Sequence, residues 1–234
     1  MDYTSDTRQT VSRAEAINAF MRGVYGWMAA GLGVTALVAV SVASNPGLLK
    51  AVLNPVALIA LIIAELALVV ILSARINRLS AGAATGMFLA YSALNGATLS
   101  SVFILYAAAT IASAFAISAG MFLAMSAYGY VTRRDLTSWG GFLFMGLVGV
   151  ILASLVNMFV RSSQVSMLLN YVGVLVFVGL TAYDTQRLKD MSAYAPMDDA
   201  TAVRRGAILG ALALYLDFIN LFLMMLRIFG GNRD

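Results

Sequence analysis

Long apolar runs separated by short polar punctuation dominate this chain after a polar stretch over the first 22 residues. Residues 79–132 run for 54 positions without an Asp, Glu, Lys or Arg. At about 1.5 Å per helical residue this stretch reaches roughly 80 Å, against a hydrocarbon core of about 30 Å, so it must cross, turn and cross back. Lipid offers backbone N–H and C=O groups no partners, so each crossing must satisfy its own. The period-two alternation of a barrel strand is missing, which makes the crossings helices.

Seven spans are predicted. The first covers 23–43, after a cytoplasmic tail (1–22) whose end is helical and amphipathic. Ser44-Asn45-Pro46-Gly47 then signals a turn. The second, 55–72, carries Glu65 in its middle. The third and fourth share 82–130, with a weak breaker at 107–110. The fifth is 140–159, with Trp139 at its interfacial end. The sixth has only 16 mostly apolar residues, 168–183, and needs the region of Asp184 and Arg187 to complete a crossing. The seventh is 206–226. Residues 23–230 thus read as one all-α integral membrane domain, a seven-transmembrane-helix bundle, with 231–234 as a short C-terminal tail.

Composition narrows the chemistry. The chain is 61% hydrophobic and 11% charged, less than half the ~25% charge of a soluble domain. The net charge of +4 reads as a basic membrane rim, not a nucleic-acid surface. Without cysteine there is no disulfide, thiolate metal site or nucleophilic thiol. Without histidine, any proton-linked behaviour rests on carboxylates. No cleavable signal is expected, because the first apolar run is long enough to span. With the N-terminus in the cytoplasm, one side holds Arg8, Arg13, Arg22, Arg75, Arg78, Arg133, Arg134, Arg187, Lys189, Arg204 and Arg205. The other holds Lys50, Arg161, Arg227 and Arg233. Eleven against four favours an internal N-terminus. A re-entrant last segment would make the split thirteen against two, so counting leaves six crossings plus a re-entrant segment open.

Ionisable groups inside spans are costly and face the interior. Glu65, Asp184 and Asp217 are the candidates. Each has a plain alternative: Glu65 as a protonated packing residue, Asp184 as a rim partner of Arg187 one turn on. Asp217 has no basic residue within two turns, so its partner must come from another helix or from water. An eleven-residue step returns within about 20° of the same helical face. Gly206 and Gly210 therefore share the face of Asp217, and Gly173 that of Asp184, faces suited to close helix packing. Two carboxylates that meet cannot both ionise cheaply and would titrate as a unit. Depth argues against the meeting: with Arg187 and Arg205 as rim markers, Asp184 lies about 5 Å inside and Asp217 about 18 Å. The two meet only if the seventh helix starts later or the sixth runs deeper.

At these residues the chain resembles the transmembrane Bax inhibitor motif family, as a short bacterial-type member. The resemblance rests on Val24-Tyr25-Gly26-Trp27-Met28, on Ala182-Tyr183-Asp184-Thr185-Gln186-Arg187, and on Leu214 through Asp217-Phe218-Ile219-Asn220-Leu221-Phe222 to Arg227. It implies seven helices with the last one central, a pH-dependent leak of calcium, and a proton-sensing aspartate pair at Asp184 and Asp217. It also implies a latching arginine near the end of the second helix, at Arg75 or Arg78. Calcium would be a permeant ion, passing transiently near the two aspartates, and no resident cofactor is expected. Glu65, Asn95, Asn157 and Asn220 could add oxygens to a polar lining, and such a partial set suits permeation, where the ion must also leave. The expected setting is a bacterial inner membrane, with lipid, protons, calcium and other membrane proteins as partners. The chain departs from the family in its long sixth-to-seventh connection with Asp198 and Asp199, and in its short end. Two rival readings stand beside the channel. One is a non-conducting regulator that binds other membrane proteins, such as quality-control proteases. The other is an intramembrane aspartyl protease, which would need glycines where Leu214 and Leu216 stand. No catalytic residue is assigned, and the chain is not expected to be an enzyme.

Overall fold

Residues 3–194 and 199–231 are described by a computed structural model. Helix α1 runs Tyr3–Ala43, α2 Pro46–Val52, α3 Pro55–Arg75 with a 3-10 turn to Arg78, α4 Ala81–Leu99 and α5 Val102–Leu105. Then come α6 Ala108–Val131, α7 Thr137–Val160, α8 Ser163–Tyr194 and α9 Ala200–Gly230. No strand occurs among the described residues. Seven of these stretches are long and apolar enough to cross a membrane. The protein is an all-α integral membrane protein.

The helix ends follow from local chemistry. Two Asn-Pro pairs do the same work: Asn45 accepts from the N–H of Gly47 (3.0 Å) and Leu48 (3.1 Å), and Asn54 from Val56 (3.0 Å). The following proline takes the first helical position, where its missing N–H costs nothing. Ser80 caps α4 through Ala83 N–H (3.1 Å). Asp199 caps α9 through the N–H groups of Thr201 and Ala202 (2.9 Å each); Asp198 lies outside the described residues. The predicted turn at 107–110 falls slightly earlier, at Tyr106 and Ala107. Helix α1 passes residue 22 without a break. Helix α8 extends well beyond the predicted 183, because Gln186, Leu188 and Ser192 all find helical or cross-helix partners.

The chain divides into two compact units. The first comprises residues 1–105 and 188–213. In it α1 and α4 pack through small residues: a Cβ at Gly31 would lie 2.6 Å from the Phe88 ring, and one at Gly96 3.1 Å from Thr35 Cα. Thr35 Oγ1 reaches Ser92 O across the same seam at 2.9 Å. Arg204 and Arg205 close the unit. Arg204 lies over the Trp27 ring (5.4 Å) and donates to Thr85 (3.3 Å), while Arg205 donates to the carbonyls of Asn77 (2.9 Å) and Leu79 (3.2 Å).

The second unit comprises 106–187 and 214–234: α6, α7, most of α8 and the C-terminal half of α9. Phe218 of α9 meets Phe122 (5.7 Å) and Phe115 (5.4 Å) of α6 edge-on. Helix α9 is the most buried of the seven, at 72% of its apolar window against 6% for α3. Val56, Ile59, Ile63, Leu66 and Val70 of α3 are exposed, an apolar face that suits lipid.

Candidate functional site

The six residues Ala182–Arg187 of α8 contact every other helix of the second unit. Ala182 lies under Gly129 of α6, where a Cβ would overlap the Ala182 carbonyl oxygen. The Tyr183 ring fills the space above Gly140 of α7, 2.6 Å from where a Cβ would stand. Thr185 and Ser126 of α6 share a buried hydroxyl hydrogen bond of 3.0 Å. Gln186 clamps the α6–α7 connection: its Oε1 accepts from Leu136 N–H and its Nε2 donates to Arg134 O, both at 2.8 Å. Asp184 turns to α9.

There the carboxyl groups of Asp184 and Asp217 stand next to each other. Asp217 is 5% exposed, and its Oδ2 has no partner among the described residues. Each carboxylate only accepts hydrogen bonds, so two of them this close cannot both ionise cheaply. Arg187 is the cation beside Asp184. The depth objection is thereby overturned. Helix α8 runs on to Tyr194, which carries Asp184 deeper than an end at Arg187 would. Arg205 stays near the rim, bonded to the carbonyls of Asn77 and Leu79 in the α3–α4 connection.

The glycines expected at packing faces divide between partners. Gly173 meets Met224 of α9, where a Cβ would lie 3.0 Å from its sulfur. Gly210 faces Leu188 of α8 and Val24 of α1, and Gly206 faces Phe20 of α1. Two of the four polar candidates come together in the first unit: Glu65 accepts from Thr98 Oγ1 (2.6 Å) and bonds Asn95, beside Tyr91. Tyr91, Asn95 and Thr98 follow at i, i+4 and i+7, one face of α4 turned to α3. Asn157 locks the α7–α8 turn, donating to Ser166 Oγ (2.7 Å) and Ser162 O (3.1 Å). Asn220 bonds Leu216 O of its own helix (2.8 Å). Arg75 and Arg78 are exposed at the end of α3, in the first unit. Sequence reading missed Ser126, Gly129, Gly140 and Gln186 as supports of the pair. Their partners lie on other elements of the fold and left no mark in the sequence.

Buried carboxyls in contact, on helices held together by small residues, define a helical membrane protein with a polar site between its helices. The chain belongs to the family described as inhibitor of apoptosis-promoting Bax1, whose sequence profile matches residues 17–234. It is 53% identical to the inner membrane protein YbhL of Escherichia coli K12 over 234 residues, the whole of both chains. Uncharacterized proteins of Borreliella burgdorferi (45% over 219 residues, 93% of this chain and 94% of that one) and Deinococcus radiodurans (44% over 220 residues, 94% and 93%) are similar to it.

Proposed function

We propose that this protein is a pH-sensitive calcium leak channel of the bacterial inner membrane, set by a proton shared between Asp184 and Asp217. The observation that carries the reading is the contact of those two carboxyls inside the second unit. Losing the shared proton leaves two like charges in contact. Their repulsion is relieved by separating α8 from α9 or by taking up a cation. Either response ties permeation to pH without histidine. Calcium needs six to eight oxygens for tight binding. The carboxyl pair alone is a much weaker set, which lets an ion pass. Calcium as the permeant ion follows the family resemblance. On this reading the protein is no enzyme, and Arg75 or Arg78 latches the closed state. The N-terminus lies in the cytoplasm, so a reporter fused after Arg13 should read internal and one beside Lys50 external.

The test is calcium flux into liposomes loaded with a calcium-sensitive dye, at a series of pH values. Wild-type flux should change between about pH 5 and 8. Asp217→Asn, nearly isosteric with protonated aspartate, should remove the pH response. Asp184→Asn should do the same, and the double variant should add little, because coupled sites are non-additive. A flux equal to that of empty liposomes would assign the non-conducting, regulatory role instead.

A further inference from the structure

A second polar site lies in the same unit, where α7 turns into α8 and α9 nears its end. Arg161 caps α7 with φ 55° and ψ 34°, the one left-handed non-glycine residue among those described. Glycine or asparagine is the ordinary occupant of that position. Asn157 already holds the turn, accepting from Ser162 N–H (3.1 Å) besides its two donated bonds. The turn thus has no structural need of an arginine. Arg161, Arg227 and Asn170, with Ser154 and Ser166, line a cavity of about 320 Å³ with no carboxylate among the described residues that line it. Asn170 is more than nine-tenths buried, at 7% exposure, and its amide has no hydrogen-bond partner among the described residues. The guanidinium groups of Arg161 and Arg227 have none there either. Two forked cations, an unspent buried amide and two hydroxyls form a donor-rich pocket without a counter-charge, and a tetrahedral oxyanion answers that pattern. Met158 and Phe159, 63% and 82% exposed, flank the turn with apolar surface.

We propose that this cavity binds the phosphate group of an anionic lipid, whose acyl chains lie along the exposed apolar residues of α7. The site is independent of the carboxyl pair and of any calcium flux. It is tested on the purified full-length protein in nonionic detergent, by thermal unfolding against three additives. These are dihexanoyl phosphatidylglycerol, its phosphate-free counterpart dihexanoylglycerol, and sodium phosphate balanced by sodium chloride. A saturable rise in Tm is expected with the phosphatidylglycerol and not with dihexanoylglycerol. Saturation by inorganic phosphate at similar concentration would show that the oxyanion alone suffices, and it supports the same site. Arg227→Gln and Asn170→Ala should each raise the apparent Kd about tenfold or more. Arg161→Gly separates binding from folding: it relieves the left-handed backbone, so the ligand-free Tm should hold or rise while the ligand response weakens. No saturable shift with either phosphate probe, or equal shifts in wild type and the Arg161→Gln/Arg227→Gln double variant, would overturn the proposal.

Discussion

Gly129→Ala isolates a close approach of one helix backbone to another in the second unit. The added methyl would overlap the Ala182 carbonyl oxygen and stand 2.9 Å from its carbon and 3.0 Å from its Cα. These are backbone atoms of a continuous helix, so no side chain can swing aside. Restoring ordinary contact near 3.5 Å moves α6 from α8 by on the order of 1 Å. Overpacking of this kind costs about 1–3 kcal/mol. The 3.0 Å bond between Ser126 and Thr185, one turn away, stretches with it and adds about 1 kcal/mol. Gly120 is the control: it lies on the same helix, and a Cβ there meets nothing within 4 Å. Gly120→Ala should be neutral or stabilise by up to about 1 kcal/mol through helix propensity. Reversible unfolding in sodium dodecyl sulfate, followed by circular dichroism, should therefore place Gly129→Ala at least about 2 kcal/mol below Gly120→Ala. Stabilities within about 0.5 kcal/mol of each other would refute the reasoning and show that α6 and α8 yield at this point.

Gln186→Leu should strand the buried Leu136 N–H at a cost of about 1–3 kcal/mol. Faster hydrogen exchange at that amide is the measurement, and Gln186→Glu, which keeps the acceptor, should restore its protection. Asp135 is exposed ahead of α7, and its carboxyl is held below the usual value by hydrogen bonds from the Thr137 side chain and backbone. A depressed acid stabilises above its unfolded value, about pH 4, and the contribution fades as pH falls through the lowered folded value. Wild type and Asp135→Asn should thus differ more in thermal stability at pH 6 than at about pH 2. An equal difference at both would remove the cap from the account.

The spans were legible because lipid leaves an uncharged run of this length no other structure, and the Asn-Pro starts because both residues act locally. The pairing of Asp184 and Asp217 was implied by the family resemblance, whereas the glycine periodicity did not give it, since Gly206 packs on Phe20 of α1. Their depth was not legible, since it was judged from two arginines treated as rim markers. Arg187 does not end its helix, since α8 runs on to Tyr194, and nothing in its own neighbourhood announces that. Gln186, Ser126 and Gly140 are similar cases. Their roles depend on the register between helices, which composition and spacing along one helix do not contain. Asn157 was read as a lining group by residue type, whereas its bonds lie within the α7–α8 turn.

The burial of α9 has a consequence for biosynthesis. This helix leaves the ribosome after every helix it packs against, and its bonds reach far back: Arg204 to Thr85 across 119 positions, Arg205 to Asn77 across 128. Until it arrives, Phe20, Val24, Phe115 and Phe122 lack the surface that covers them. The earlier helices can pair before then, as α1 does with α4 and α6 with α8, but each unit closes only in a late, non-local step. A ribosome stalled before residue 200 would leave a product threaded through the membrane with both units incomplete.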